Sequence, residues 1–147
     1  MNLTSHFTLE ELTFSEVAQR NGWDNKPNDV ELANLIRLAK FLETVREVLG
    51  SKPIMITSGL RTKKINDAVG SKDTSQHRLG CAVDFKIPGM TPDEIVTKIV
   101  NSSLTYDQVI CEFGSWVHIS VPNYEGDAPR RQALVIDKLG TRHFSIK

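Results

Sequence analysis

The stretch Ser75-Gln76-His77-Arg78-Leu79-Gly80-Cys81-Ala82-Val83-Asp84 carries the most specific pattern in the chain, and Trp116-Val117-His118 follows further along. Histidine and aspartate are good zinc ligands, and a catalytic zinc site usually takes three protein ligands and leaves one position for water. His77, Asp84 and His118 supply such a set. Glu112, just upstream of the last histidine, could handle the proton of that water. The pattern therefore predicts a site for one catalytic zinc ion.

Strand alternation gives a first test of this prediction. On a strand through residues 82–87, Asp84 falls on the face opposite to the apolar side chains, and on a strand through residues 116–121 His118 does the same. Both strands then combine a front that bears a ligand with an apolar back, formed by Val83, Phe85, Ile87, Val117, Ile119 and Val121. This arrangement is typical of a cleft on one face of a half-buried sheet.

The position of Glu112 depends on the length of the hairpin loop before His118. If the loop holds an odd number of residues, Glu112 lies on the His118 face within reach of a diagonal neighbour. A loop with an even number of residues places Glu112 on the opposite face of the sheet. A three-residue loop, Phe113-Gly114-Ser115, fits the first case, but the sequence alone leaves both open.

Capping signals and apolar periodicity outline the helices. A Ser, Thr, Asp or Asn followed three residues later by Glu forms a capping box at a helix start, and Pro favours the first helical position. Helices are predicted over Thr8 to about Arg20, Asn28 to Gly50, residues 62–69, and Thr91 to about Asn101.

Runs of β-branched and apolar residues bounded by turn residues outline the strands. Strands are predicted over residues 53–57 (buried), 81–87, 106–112 and 115–121, with a closing hairpin from 132–137 and 143–146. The order of elements predicts an α+β fold: a small, mainly antiparallel sheet flanked by helices, with the zinc cleft on the sheet face. We expect a single domain over residues 1–147, with a helical part (8–50), a metal-site sheet (53–122) and a C-terminal tail (123–147).

Composition excludes several classes of protein. The chain of 147 residues carries 18 basic and 18 acidic side chains, so no net field would draw it to nucleic acid or an anionic membrane. No apolar run is long enough for membrane insertion. The N-terminus lacks the pattern of a secretory signal, so we expect cytoplasmic synthesis, and we expect a monomer. The two cysteines, Cys81 and Cys111, belong to no Cys-x-x-Cys pair and are interpreted as small buried hydrophobes.

The combined pattern resembles a known family. Ser-x-His-x-x-Gly-x-Ala-x-Asp at Ser75–Asp84, with a later Trp and His, is similar to the zinc D-alanyl-D-alanine peptidases, which include bacterial carboxypeptidases, vancomycin-resistance dipeptidases, phage endolysins and the hedgehog signalling domain. Ser58-Gly59-Leu60-Arg61-Thr62, with Asn66, resembles the Ser-Gly-Tyr-Arg-Ser segment of the family. Phe7-Thr8-Leu9-Glu10-Glu11-Leu12 resembles its phage and prophage branch. The resemblance covers about residues 5–122.

The resemblance implies a role for each site residue. It implies that His77, Asp84 and His118 are the zinc ligands, that Glu112 is the base and then the acid, and that Arg61 holds the substrate or its developing oxyanion. It also implies that Ser75 contacts substrate and that Trp116 shapes the cleft. Several members place the glutamate three residues before the last histidine, where this chain has Ser115. Hedgehog-like members have the longer spacing seen here.

Hydrolysis of D-amino-acid amide bonds in peptidoglycan stem peptides or cross-links is the function that the resemblance implies. The chain would be a D-Ala-D-Ala carboxypeptidase or an endolysin-type endopeptidase that reaches the wall after lysis-linked release. Two alternatives stay open at this point. One is a zinc-stabilised binding module of the same fold without turnover. The other is a cytosolic D,D-dipeptidase, which would cleave free dipeptide and ignore polymeric wall.

Overall fold

A six-stranded sheet organises residues 1–146, the part of the chain that the computed structural model describes. Lys147, the last residue of the predicted C-terminal tail, lies outside the described residues. The strands are β1 (Met55–Ser58), β2 (Ala82–Lys86), β3 (Gln108–Glu112), β4 (Trp116–Ser120), β5 (Gln132–Asp137) and β6 (Gly140–His143). Their order is β1-β2-β4-β3-β5-β6, and β3 with β5 is the parallel pair among antiparallel neighbours. The predicted α+β fold with a mainly antiparallel sheet is confirmed.

Helices precede and interrupt the strands. They are α1 (Leu9–Thr13), α2 (Glu16–Asn21), α3 (Asp29–Val48), α4 (Lys63–Ala68) and α5 (Pro92–Val100), with a 3₁₀ helix over Gln76–Leu79. Complete capping boxes open α1, α3 and α5, as predicted. Each box satisfies backbone N–H groups that the first helical turn leaves without partners. None of the described helices combines the length and apolar character that crossing a membrane requires.

The single helix predicted from Thr8 to about Arg20 is wrong. The chain leaves α1 at Phe14, whose ψ of 135° is extended, and restarts as α2 after Ser15. The Ser15 hydroxyl accepts a hydrogen bond from the backbone N–H of Ala18 at 3.2 Å. Serine competes well as an N-cap and poorly as an interior helical residue, which favours two short helices over one long one.

Two strand predictions also differ from the structure. The strand predicted as buried near residues 53–57 is β1, an edge strand, and Met55 at its start is 54% exposed. The last strand lies at Gly140–His143 and not at residues 143–146, because the chain reverses directly after Asp137. There the Asp137 carboxylate accepts a hydrogen bond from the backbone N–H of Leu139 at 2.9 Å, a local bond that favours an early turn.

The sheet has one polar face and one apolar face. We call the face that carries Asp84, Glu112, Trp116 and His118 the metal face, and the opposite one the core face. The core face packs with α3 and α5 into one apolar cluster, to which the strands contribute Val83, Phe85, Val109, Cys111, Val117 and Ile119, all buried. Burying each large side chain contributes about 1.5–3 kcal/mol, so this cluster fixes the sheet on which the polar residues stand. Both cysteines are free and buried.

Gly59, directly after β1, lets the chain pass close to α1. A Cβ at this position would lie 2.3 Å from the backbone oxygen of Leu12, a distance that real Cβ atoms essentially never show. The same Leu12 oxygen accepts a hydrogen bond from the backbone N–H of Leu60 at 2.8 Å. The end of α1 and the segment after β1 are therefore held in direct backbone contact.

We expect Gly59→Ala to lower the free energy of unfolding by about 3 kcal/mol, the upper end of the usual cost of overpacking, because the clash is with backbone that cannot rotate away. Chemical denaturation measures this change. The matched control is Gly22→Ala, where a Cβ meets open space and only the left-handed backbone (φ 65°) is unfavourable, so the loss should be about 1 kcal/mol. Equal losses in both variants would contradict the close contact.

Candidate metal centre

Three side chains from three different elements meet above the metal face. His77 comes from the 3₁₀ helix, Asp84 from β2 and His118 from β4, where it lies directly opposite Asp84 in the antiparallel register. Asp84 Oδ1 lies 3.2 Å from His77 Nε2 and 3.1 Å from His118 Nδ1. One ligand atom from each residue lies within 4.8 Å of the other two. The sequence-predicted ligand set is thus brought together.

The ring of His77 is oriented by the backbone. His77 Nδ1 lies 2.8 Å from the carbonyl oxygen of Gly59, to which it donates a hydrogen bond, so that Nε2 keeps its lone pair for the site. A histidine ligand held by a carbonyl on its other nitrogen is the usual arrangement at zinc sites. The His77 side chain is buried, which leaves it little freedom to turn.

The donor set fits zinc. Two imidazole nitrogens and one carboxylate oxygen are ligands that a catalytic zinc ion takes, with a further position left for water. Burial by itself would raise the pKa of Asp84, but the interactions with the His118 and His77 imidazoles outweigh it and hold that pKa well below its ordinary value. The carboxylate is therefore ionised at neutral pH, as metal binding requires.

Glu112 lies on the metal face. It pairs with Trp116 across the β3–β4 hairpin, so Phe113, Gly114 and Ser115 form the loop and the odd-numbered alternative is confirmed. Glu112 Oε1 lies 3.9 Å from His118 Nδ1. Burial and the charge of Asp84 raise the pKa of Glu112, and the neighbouring His118, Trp116 and Arg61 side chains partly offset them. A carboxylate with a raised pKa next to a metal site is suited to accept and return a proton.

The hairpin loop that sets this position is tightly held. Phe113 adopts a left-handed backbone with φ of 54°, and its N–H donates to the carbonyl oxygen of Ile136 on β5 at 2.8 Å. The backbone N–H of Ser115 donates to the carbonyl of Glu112 at 3.0 Å and closes the turn. The Phe113 ring packs against Trp116 with ring centroids 5.7 Å apart. These contacts fix the end of β3 where Glu112 stands.

Arg61 approaches the site from the segment after β1. Its backbone N–H donates to the carbonyl oxygen of His77 at 2.9 Å, which ties it to the 3₁₀ helix. Burial lowers the pKa of Arg61, and the nearby charges of Asp84 and Glu112 partly restore it, so the guanidinium remains charged. Its Nε is buried and has no hydrogen-bond partner within residues 1–146. A cation therefore stands near the two carboxylates of the site.

Ser75 and Trp116 occupy different parts of the surroundings. The Ser75 hydroxyl accepts a hydrogen bond from the backbone N–H of His77 at 3.3 Å and thereby caps the 3₁₀ helix. Trp116 is half-buried on the metal face opposite Glu112. The predicted substrate contacts of both residues stay predictions.

Asn25 is a supporting residue that the sequence did not reveal. Its side-chain amide donates to the carbonyl oxygens of Leu60 at 2.8 Å and Thr13 at 2.7 Å, and its oxygen accepts from the backbone N–H of Thr62 at 3.1 Å. It therefore holds the backbone on both sides of Arg61. A lone asparagine in a predicted loop has no local pattern that would indicate such a long-range role.

Comparison with known families agrees with this geometry. A family model described as Peptidase M15 matches residues 5–120, which include all of the site residues above. The chain belongs to the peptidase M15 family. This M15 chain is accordingly a zinc metallopeptidase with a peptide substrate, and the His77, Asp84 and His118 cluster is the place where its metal could bind. A comparison with curated proteins finds no match.

We expect His118→Ala to weaken zinc binding by more than about 100-fold, since loss of a supporting residue alone costs 10–100-fold and this change removes a ligand. Competition with a chromophoric chelator measures the zinc dissociation constant. The control is His143→Ala on the exposed strand β6, which should leave it unchanged. Full zinc affinity in His118→Ala would remove His118 from the ligand set.

Proposed function

We propose that the chain hydrolyses amide bonds that contain D-amino acids in peptidoglycan stem peptides or cross-links, with one zinc ion held by His77, Asp84 and His118. The observation that carries this proposal is the convergence of those three ligands with Glu112 on one face of the sheet. The resemblance of the motif at Ser75–Asp84 to the D-alanyl-D-alanine peptidases supports the choice of substrate. Cytoplasmic synthesis and access to the wall at lysis stay predictions.

Zinc, when bound, supplies a Lewis acid that makes water nucleophilic near neutral pH and polarises the amide carbonyl. Glu112 accepts the proton of the attacking water, because its carboxylate lies beside the ligand His118 and its pKa is raised toward neutral pH. The same carboxyl group then returns the proton to the departing amine, so that the leaving group departs neutral. General acid–base catalysis of this kind contributes about 10²–10⁴-fold to the rate.

Arg61 stabilises the negative charge that develops on the carbonyl oxygen. The charges of Asp84 and Glu112 act on its guanidinium, which places a cation beside the carboxylates of the site. Such preorganised donors are worth roughly 3 kcal/mol each in acyl-transfer enzymes. The backbone bond from Arg61 to His77 and the Asn25 amide hold the cation in place while charge develops.

The substrate contacts of the remaining residues complete the proposal. Trp116 forms one wall of the cleft on the metal face, beside Glu112. Ser75 lies next to the ligand His77 and presents its hydroxyl at the start of the 3₁₀ helix. We place both residues in contact with the peptide on either side of the scissile amide.

We expect Glu112→Gln to retain zinc and to lose at least about 100-fold in the release of peptides from purified sacculi. The amide keeps the shape of the side chain but cannot accept the proton. Mass spectrometry of the digestion products measures the loss and identifies the bond that is cut. The matched control is Glu125→Gln in an exposed loop, which should behave like the wild type. Equal cutting by Glu112→Gln and the wild type would show that another group is the base.

Substrate size separates the proposal from its alternatives. We expect the wild type to release fragments from polymeric sacculi, as a wall enzyme does, and the products tell an endopeptidase from a carboxypeptidase. Cleavage of free D-Ala-D-Ala with no action on sacculi would support a D,D-dipeptidase instead. Zinc binding without cleavage of either substrate would support a non-catalytic binding module. The placement of Glu112 among the ligands favours turnover over the binding module.

A further inference from the structure

A buried carboxylate lies at the start of β3, away from the three ligands. Asp107 is only 4% exposed, and it accepts hydrogen bonds from the Arg130 side chain, with Nη2 at 2.7 Å and Nε at 3.1 Å, and from the Arg130 backbone N–H at 3.0 Å. A buried charge is tolerated when it is paired and its oxygens are satisfied. The Arg130 side chain is half exposed, so the pair reaches from the surface into the interior.

The Asp107 oxygen that accepts from Arg130 Nη2 also connects this pair to the 3₁₀ helix. The side-chain amide of Gln76 donates to Asp107 Oδ2 at 3.0 Å, and its nitrogen also lies 3.0 Å from the carbonyl oxygen of Val121 and 2.8 Å from Asn123 Oδ1. Gln76 is the first residue of the 3₁₀ helix, and the ligand His77 follows it directly. The two N–H donors of this amide are shared among the three acceptors, which hold one end of the turn that carries a ligand.

Part of this network comes from outside the residues that match the family. Asn123 and Arg130 follow residue 120, the last matched residue. Backbone bonds hold the segment against β3: the N–H of Arg131 donates to Tyr106 at 3.1 Å, and the N–H of Gln132 donates to Asp107 at 3.0 Å. These backbone bonds fix the segment against the start of β3, and its Asn123 and Arg130 side chains contact Gln76 and Asp107.

We propose that Gln76 and Asp107 are positioning residues for the metal ligand His77, and that residues 121–131 support the metal centre through Asn123 and Arg130. This inference rests on the zinc site of the proposed function. The network acts at one end of the 3₁₀ helix, whereas the Gly59 carbonyl acts on the His77 ring itself. Both contacts are needed to keep His77 Nε2 within 3.2 Å of Asp84 Oδ1.

The test compares two aspartates that both pair with an arginine. Asp107→Asn should raise the zinc dissociation constant by about 10–100-fold, as loss of supporting residues does at zinc sites. Asp137→Asn should leave the constant unchanged, because its bidentate Arg142 partner, with both contacts at 2.9 Å, lies on the exposed β5–β6 turn. Chelator competition gives the constants, and far-UV circular dichroism checks that each metal-free variant is folded.

A spectroscopic measurement separates positioning from general stability. With cobalt(II) bound in place of zinc, Asp107→Asn should change the ligand-field absorption, because His77 shifts, while Asp137→Asn keeps the wild-type spectrum. An Asp107→Asn variant with a lowered melting temperature but wild-type zinc affinity and cobalt spectrum would overturn the inference. If that variant does not fold, Arg130→Lys replaces it, since it keeps the charge and loses the two-point contact. Arg130→Lys should raise the zinc dissociation constant by a smaller factor than Asp107→Asn, and an unchanged zinc dissociation constant would overturn the inference.

These readouts do not depend on hydrolysis. A wild-type chain that binds zinc but cleaves no wall substrate would contradict the proposed reaction, and the network would still be tested by zinc affinity and the cobalt spectrum. A wild-type chain without zinc affinity would contradict the metal site itself, and with it this inference.

Discussion

The antiparallel pairing of β2 with β4 is the constraint on which the site depends. Its register sets Asp84 opposite His118, so the carboxylate lies within 3.1 Å of the imidazole with no help from a loop. A shift of one strand by one residue would place Asp84 and His118 on opposite faces of the sheet and bring the apolar side chains of that strand to the metal face. The apolar cluster beneath the sheet therefore stabilises this register, because a one-residue shift would expose the apolar side chains of one strand to water.

Much of this geometry could be predicted from the sequence because it follows from a period of two. Alternation on the strands indicated that Asp84 and His118 share a face, and the three-residue loop extended the same logic to Glu112. The capping boxes located the starts of α1, α3 and α5 for an equally local reason. Where two local signals competed, as at Ser15, the prediction of one continuous helix was wrong.

The support of the site could not be predicted, because it consists of contacts between distant parts of the chain. The Gly59 carbonyl that orients His77 and the Asn25 amide that holds the Arg61 segment have no local pattern. The parallel pairing of β3 with β5 likewise joins segments that no hairpin connects, and it carries Arg130 to Asp107. Periodicity shows which way a side chain points, but it does not show which remote segment meets it.

The strand order also bears on how the chain reaches its final state. β2 pairs with β1 and β4, yet α5 and β3 lie between β2 and β4 in the sequence. Closing such a long loop is entropically unfavourable, and contacts of this kind slow folding. His118 is therefore separated from His77 and Asp84 until β2 and β4 have paired. A metal ion that needs all three ligands binds the native state in preference to folding intermediates. Zinc therefore stabilises the protein against unfolding only after the slow pairing of β2 with β4 is complete.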